Sequence, residues 1–244
     1  MSLDLVDYKI KAHSAVKTFW ISRKKAGTKK RSAGNKNQGK RSVGTSSGNM
    51  DGFIDLVIDI VHANGLTEAD IMRKNRILTL PGHFCPIKSW DLLVMNHGKL
   101  VAAIKLDAQI GPSFGKNAND CCEHAISLGV DFRAAFRRGT FGEYTKPFVG
   151  YLGLLEDSPA SRAPVKDISP NFPLVQEYRN ASYAKRYDIL CKKLLAEWLY
   201  TAATVILSPR TASKSGEYSE MSDMTGLKSF VAELAGHIAA EAVM

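Results

Sequence analysis

The sequence predicts an α/β fold, a single domain over 1–244 in which helices flank a mixed central sheet of about five strands. Three features point there. Residues 92–95 and 100–106 are apolar runs joined by Asn96-His97-Gly98, which tolerate positive φ and suit the tight turn of a hairpin. Residues 147–155 and 202–207 are near-continuous apolar stretches, the pattern of strands covered on both faces. Around them lie stretches whose apolar residues recur at helical spacing.

In chain order, residues 3–22 place Leu5, Tyr8, Ile10, Ala12, Val16, Phe19 and Trp20 on one side of an amphipathic helix. Residues 50–63 predict a second, with Phe53, Ile54, Val57, Ile60 and Val61 as its apolar face and Asn49 as its cap. Thr67-Glu68-Ala69-Asp70 reads as a capping box opening a short helix over 70–74. Residues 77–80 predict a strand stopped by Pro81-Gly82. After the hairpin, Gly111-Pro112 ends the second strand, a Gly/Ser/Asn loop follows, and a helix runs from about 119 to 136. The strand over 147–155 leads into a loop over 159–173 that holds four prolines. A helix over 183–200, a strand over 202–207, a turn-rich connection over 208–222 and a helix over 225–242 complete the chain.

The formal net charge of +9 is the property of one segment. Between 23 and 48 lie nine basic residues and no Asp or Glu (Arg23, Lys24, Lys25, Lys29, Lys30, Arg31, Lys36, Lys40 and Arg41), so the remainder carries no net charge. Rich in Gly, Ser and Asn, the segment reads as mobile and as attractive to phosphate backbones, with a plain solvated loop as the alternative. No apolar run approaches bilayer length and the N-terminus is charged, so the expectation is a cytoplasmic protein with no membrane partner. Cys85, Cys121, Cys122 and Cys191 lack regular spacing, which suits a reducing compartment.

The candidate chemistry sits on the hairpin. Asp91 opens its first strand, and Lys105, Asp107 and Gln109 fall near the end of its second. Alternation along a strand turns 105, 107 and 109 to one side. Two carboxylates and an ammonium beside a buried hairpin are costly unless used. Metal-assisted phosphodiester cleavage uses them: carboxylates hold Mg²⁺, and a lysine orients the attacking water or offsets developing charge. A surface ion cluster at a sheet edge accounts for the pattern equally well. Other signals are weaker. The run 111–117 is too short for a phosphate loop and lacks the Ser or Thr after Lys116. His83, Cys85, Cys121, Cys122 and His124 match no tetrahedral zinc spacing.

The stretch 80–123 resembles the XhoI family of type II restriction endonucleases, within the PD-(D/E)xK nuclease superfamily. The resemblance is carried by Leu80-Pro81-Gly82-His83-Phe84, Trp90-Asp91, Leu100-Val101-Ala102-Ala103 and Gln109-Ile110-Gly111-Pro112-Ser113-Phe114-Gly115 with Asn117 and Asn119. It extends to 49–53, 147–150, 169–173 and 181–187. The resemblance implies a restriction-endonuclease-like fold and a Mg²⁺-dependent homodimer cutting double-stranded DNA at a short palindrome, CTCGAG for the family's namesake. It implies too a bacterial restriction–modification system with a partner DNA methyltransferase. Of the catalytic residues it implies, only Asp91 carries over directly, as a metal ligand. Beside it the candidate catalytic set takes Asp107 as the second carboxylate and metal ligand, Lys105 as the displaced ammonium and Gln109 as a hydrogen-bonding neighbour, with Ser113, Lys116, Asn117 and Asn119 as candidates for contacting DNA. One departure stands out. Where the family's strand ends in Glu-x-Lys, this chain has Lys105-Leu106-Asp107, acid and base exchanged. Positions two apart on a strand differ by roughly 7 Å, so both charges are relocated. A DNA-binding protein of this fold with impaired cleavage is therefore the alternative reading. A basic interaction protein with no nucleic-acid target is a third.

Overall fold

A computed structural model of the chain describes residues 3–32, 50–73, 78–142 and 146–244. Asn49 as a cap, Ile77 in a strand and positions 33–48 of the basic segment lie outside them.

The hairpin forms as its turn residues require. Strands Leu92–Asn96 and Lys99–Gln109 pair antiparallel, with His97 at φ 48° and Gly98 at φ 78° between them. In chain order the strands are β1 (Asp70–Arg73), β2 (Thr79–Pro81), β3 (Ile87–Ser89), β4 (Leu92–Asn96), β5 (Lys99–Gln109), β6 (Phe148–Glu156) and β7 (Ala202–Ser208). Five form one sheet in the order β1-β4-β5-β6-β7, antiparallel from β1 to β5 and parallel from β5 to β7. The sheet is mixed, and β6 and β7 are buried along their whole length, as their unbroken apolar runs predict.

Helices cover both faces. α1 (Tyr8–Ser32), α2 (Asp51–Ala63) and α7 (Leu227–Glu241) bury Phe19, Phe53, Ile60, Phe230 and Leu234 against Ile104, Leu106, Leu152 and Ile206. α3 (Phe114–Arg137) and α5 (Tyr183–Ala196) bury Phe114, Leu128, Tyr187 and Leu194 against Ala103, Tyr151, Leu155 and Val205. Alternation along β5 sends 102, 104, 106 and 108 to the first core, and Ala103 to the second. Lys105, Asp107 and Gln109 therefore face α3 and α5. Two short helical turns, α4 (Pro159–Arg162) and α6 (Ala212–Ser215), follow β6 and β7 respectively. Among the described residues no helix is long and apolar enough to cross a membrane.

Several expectations are corrected. Residues 70–73 are a strand, not the helix that the capping-box signature suggests. They pair with 92–95 along the outer edge of β4, whose backbone groups would otherwise lack protein partners, and that long-range pairing overrides a four-residue local preference. The strand expected at 77–80 is β2, and it joins β3 in a separate two-stranded sheet, so the fifth strand of the main sheet is β1. α1 continues ten residues past 22 into the basic segment, so 23–32 are helical. α2 takes Met50 at its N-cap position, with no side-chain cap. α5 stops at Ala196, because Trp198 turns to φ 56° and sends Leu199 and Tyr200 back into the core. There Tyr200 Oη donates to the carbonyl of Ala125 at 2.8 Å.

Candidate active site

The site arises where β4 and β5 part company. β4 begins at Leu92, opposite Ile104, whereas β5 runs on to Gln109. Past Ile104, β5 is therefore paired only on its β6 side, where Lys105, Asp107 and Gln109 stand opposite Tyr151, Gly153 and Leu155. Asp91 closes the ladder at this fork. Its N–H donates to the carbonyl of Ile104 at 3.1 Å, and its Oδ2 accepts the N–H of Leu106 at 2.9 Å. A side-chain carboxylate thus takes the place of the next strand residue and is held at the open edge of β5.

Lys105 meets it there. Its Nζ donates to Asp91 Oδ2 at 2.7 Å and lies 3.9 Å from Asp107 Oδ1. Asp91, Lys105 and Asp107 are thereby brought into one cluster, the last two on one face as the alternation predicts. Lys105 and Asp107 are each 8% exposed and Gln109 is 2% exposed. A solvated ion cluster at a sheet edge is not what these residues form. Burial pulls the Lys105 ammonium down, but Asp107 and Asp91 outweigh it and hold its pKa above the ordinary lysine value. Burial pushes the Asp107 carboxyl up to about 6, against the pull of Lys105 and with the repulsion of Asp91. Asp107 Oδ2 has no hydrogen-bond partner, and neither has the buried hydroxyl of Tyr151. Tyr151 attracts the carboxylate without completing a bond of good geometry.

Gln109 shares the face of Lys105 and Asp107 and lines one small cavity with Asp107, and its own hydrogen bonds go to the covering helices. Its Oε1 accepts the hydroxyl of Tyr187 on α5 at 3.2 Å and faces Cys121 Sγ on α3 at 3.9 Å. It ties the end of β5 to both covering helices. Cys121 is itself buried beside Asp107, and its thiol is pushed up to about 12 by burial first and that carboxylate second. It is a packing group here, not a nucleophile.

The next segment is helical five residues earlier than expected. α3 starts at Phe114, whose ring is buried and stacks on Tyr183 at 5.8 Å between centroids. Gly115 is needed beneath that stack, because a Cβ there would lie 2.9 Å from Tyr183 Oη. Gly111 is needed too: its Cβ would lie 2.8 Å from the Phe114 ring. Its N–H donates to Glu156 Oε2 at 3.0 Å, and Arg210 grips the same carboxylate at 2.6 and 2.9 Å. Lys116, Asn117 and Asn119 are thus helix residues, and with Ser113 at the N-cap position they lie on the exposed or half-buried side of the first turns.

Two groups near the cluster carried no separate signal in the sequence. His124 on α3 feels the fields of Lys105, Asp91 and Lys88; burial, then Lys105, lowers its pKa. Its spacing from Cys121 places both on one side of α3, which was the only clue. Glu156 and Arg210 are far apart in the chain and nothing in the sequence pairs them. The zinc-like set does not assemble: Cys121 is buried and Cys85 exposed, and among the described residues no three His, Cys, Asp or Glu side chains are grouped to hold a metal ion.

Comparison with known proteins finds the chain similar to restriction enzymes. The model of a protein family described as restriction endonuclease XhoI matches residues 29–220. The chain is 48% identical over 172 residues to the type II restriction enzyme AbrI of Azospirillum brasilense, covering 70% of this chain and 77% of the relative. It is 41% identical over 212 residues to the type II restriction enzyme XhoI of Xanthomonas vasicola, covering 86% and 84%. It is 36% identical over 217 residues to the type II restriction enzyme BstVI of Geobacillus stearothermophilus, covering 87% and 96%. No solved structure matches the chain.

Proposed function

The chain belongs to the restriction endonuclease XhoI family, and from that premise we propose that it is a type II site-specific deoxyribonuclease acting on duplex DNA at a short palindrome of the CTCGAG kind. Its relatives are type II restriction enzymes, which supports site-specific DNA cleavage as the class of activity. The observation that carries the reading to particular residues is the Asp91–Lys105–Asp107 cluster at the open edge of β5. Asp91 and Asp107 are the acids that Mg²⁺ would need. Lys105 is the ammonium available to offset charge developing on a phosphate. Gln109 fixes the end of β5 beneath them. Ser113, Lys116, Asn117 and Asn119 contact the DNA, and the basic segment at 23–48 adds attraction without sequence information. A palindromic target is matched by a homodimer presenting one surface to each half-site. The enzyme works as one domain in the bacterial cytoplasm, beside a DNA methyltransferase that protects the host's own sites.

With Lys105 in place the residues do not fit a divalent ion. Asp91 Oδ2 already accepts two hydrogen bonds, and the ammonium stands toward both carboxylates where a metal would have to approach. Admitting Mg²⁺ means breaking a largely buried ion pair, at about 3–5 kcal/mol when one charge is left unpaired. That pair favours a second reading, a DNA-binding protein of this fold with impaired cleavage.

Plasmid cleavage in Mg²⁺ separates the two, using this chain and its Lys105→Glu, Asp107→Lys double variant on a plasmid with one CTCGAG site. Linear product from the unaltered chain is the expected outcome for the nuclease reading. Product from the double variant alone selects the second. If neither protein cuts or retards DNA in a gel, both readings fall.

A further inference from the structure

We infer that the Lys105 ammonium is a built-in counter-ion standing in the metal position of this site, so that the chain engages duplex DNA without a divalent cation and keeps such a cation out. The DNA half of this inference rests on the second reading above, a DNA-binding protein with impaired cleavage; the metal half does not.

The argument starts from donor geometry. Divalent magnesium binds carboxylate oxygens at about 2.0–2.1 Å and bridges two acids only by approaching both. Here the approach to Asp91 and Asp107 is taken by Lys105 Nζ, 2.7 Å from one carboxylate and 3.9 Å from the other. Asp91 Oδ2 is fully engaged by Nζ and by the N–H of Leu106. Only one Asp91 oxygen and the Asp107 carboxylate remain as donors, and Asp107 is buried beneath the sheet's helical cover. Lys105 has little freedom to withdraw. Its backbone is fixed in β5 opposite Tyr151, and its side chain is 11% exposed.

Charge then decides what the site can face. Two carboxylates alone would present −2 to a DNA phosphate and repel it, and a divalent ion is the usual remedy. With Lys105 the cluster carries −1, and the ammonium is the group lying between the acids. Lys88, whose Nζ donates to Ser127 Oγ at 2.9 Å, adds a further positive field that reaches His124. Half the repulsion is removed by the chain itself.

Two measurements test this on the full chain, with Lys105→Gln and the Lys105→Glu, Asp107→Lys double variant as comparisons. In the first, Mn²⁺ is titrated into DNA-free protein and followed by electron paramagnetic resonance. The expected result is binding to the unaltered chain at least ~10-fold weaker than to either variant, a factor that one adjacent ammonium readily supplies at an effective dielectric of ~20. Equal Mn²⁺ affinity in all three overturns the inference. In the second, fluorescence anisotropy follows a labelled duplex carrying CTCGAG in EDTA and in Ca²⁺. The unaltered chain should bind alike in both, within about twofold, whereas Lys105→Gln should need Ca²⁺ to recover a loss of about tenfold. Tightening of the unaltered chain by Ca²⁺ to the same extent as the variant overturns the inference. Absence of any binding overturns the DNA reading, and the Mn²⁺ titration still decides the metal half. Should Lys105→Gln fail to fold, judged by circular dichroism, the double variant carries the comparison, since it keeps both charge signs.

Discussion

At the scale of single residues, buried charge in this protein is tolerated where it is paired. Asp188 on α5 shows the stable case. Its Oδ2 accepts from Lys185 Nζ at 2.8 Å and Lys192 Nζ at 2.9 Å, and its Oδ1 accepts the hydroxyls of Ser222 and Thr225 at 3.3 and 3.5 Å. Burial raises the carboxyl's pKa, but the two lysines outweigh it and hold it below the ordinary aspartate value. A depressed acid stabilises the fold fully above its unfolded pKa, near 3.9, and loses that contribution as pH falls through the folded value. Asp188→Asn should therefore cost about 1–3 kcal/mol at pH 7 in urea unfolding. The gap should shrink on acidification below pH ~4; a gap that widened would show the sign to be wrong. Asp107 is the opposite case, with an orphaned oxygen and a raised pKa, and it is the one that lies in the candidate site. On the proposed reading, function rather than stability is the reason to keep it.

At the scale of elements, the first turns of α3 show why 114–118 are helical although the sequence reads there as a loop. A glycine- and asparagine-rich stretch has poor helix propensity. Phe114 supplies what propensity lacks, by burying its ring on Tyr183 and anchoring the helix start. Phe114→Ala should cost about 3–5 kcal/mol in denaturant unfolding. It should also speed amide hydrogen exchange over 114–119 relative to 128–135; uniform acceleration along α3 would deny the anchor. On the proposed DNA contacts of Lys116 and Asn119, which ride on those turns, the DNA affinity of the variant should fall with it. β1 teaches the same lesson in reverse. Its Thr67–Asp70 signature is a sound local cue for a helix, yet the unpaired edge of β4 is satisfied only by an extended partner.

At the scale of the whole molecule, charge is divided between a neutral body and one basic segment. If that segment supplies non-specific attraction, neutralising part of it should change how DNA binding responds to salt and leave sequence preference alone. Replacing Lys29, Lys30, Lys36 and Lys40 with Gln should flatten the slope of log K against log salt by up to ~0.9 for each DNA phosphate that the segment no longer neutralises. Discrimination between CTCGAG and a scrambled duplex should stay the same. An unchanged slope would remove the segment from the DNA surface.

The sequence by itself determined the mixed α/β class, the hairpin and its turn, the buried central strands and the family, because these depend on local pattern and on runs of residue identity. It determined also that 105, 107 and 109 share a face, since strand alternation is a property of the backbone. Tertiary structure alone decided that β4 begins only opposite Ile104, so that Asp91, just before it, reaches Leu106 and Lys105. It decided that Gln109 turns to Tyr187 and that Glu156 and Arg210 brace Gly111 across the sheet. Those contacts join residues 14 to 78 positions apart. No local preference encodes such a meeting; it follows from which strand edges remain unpaired and which side chains the two helical layers close over.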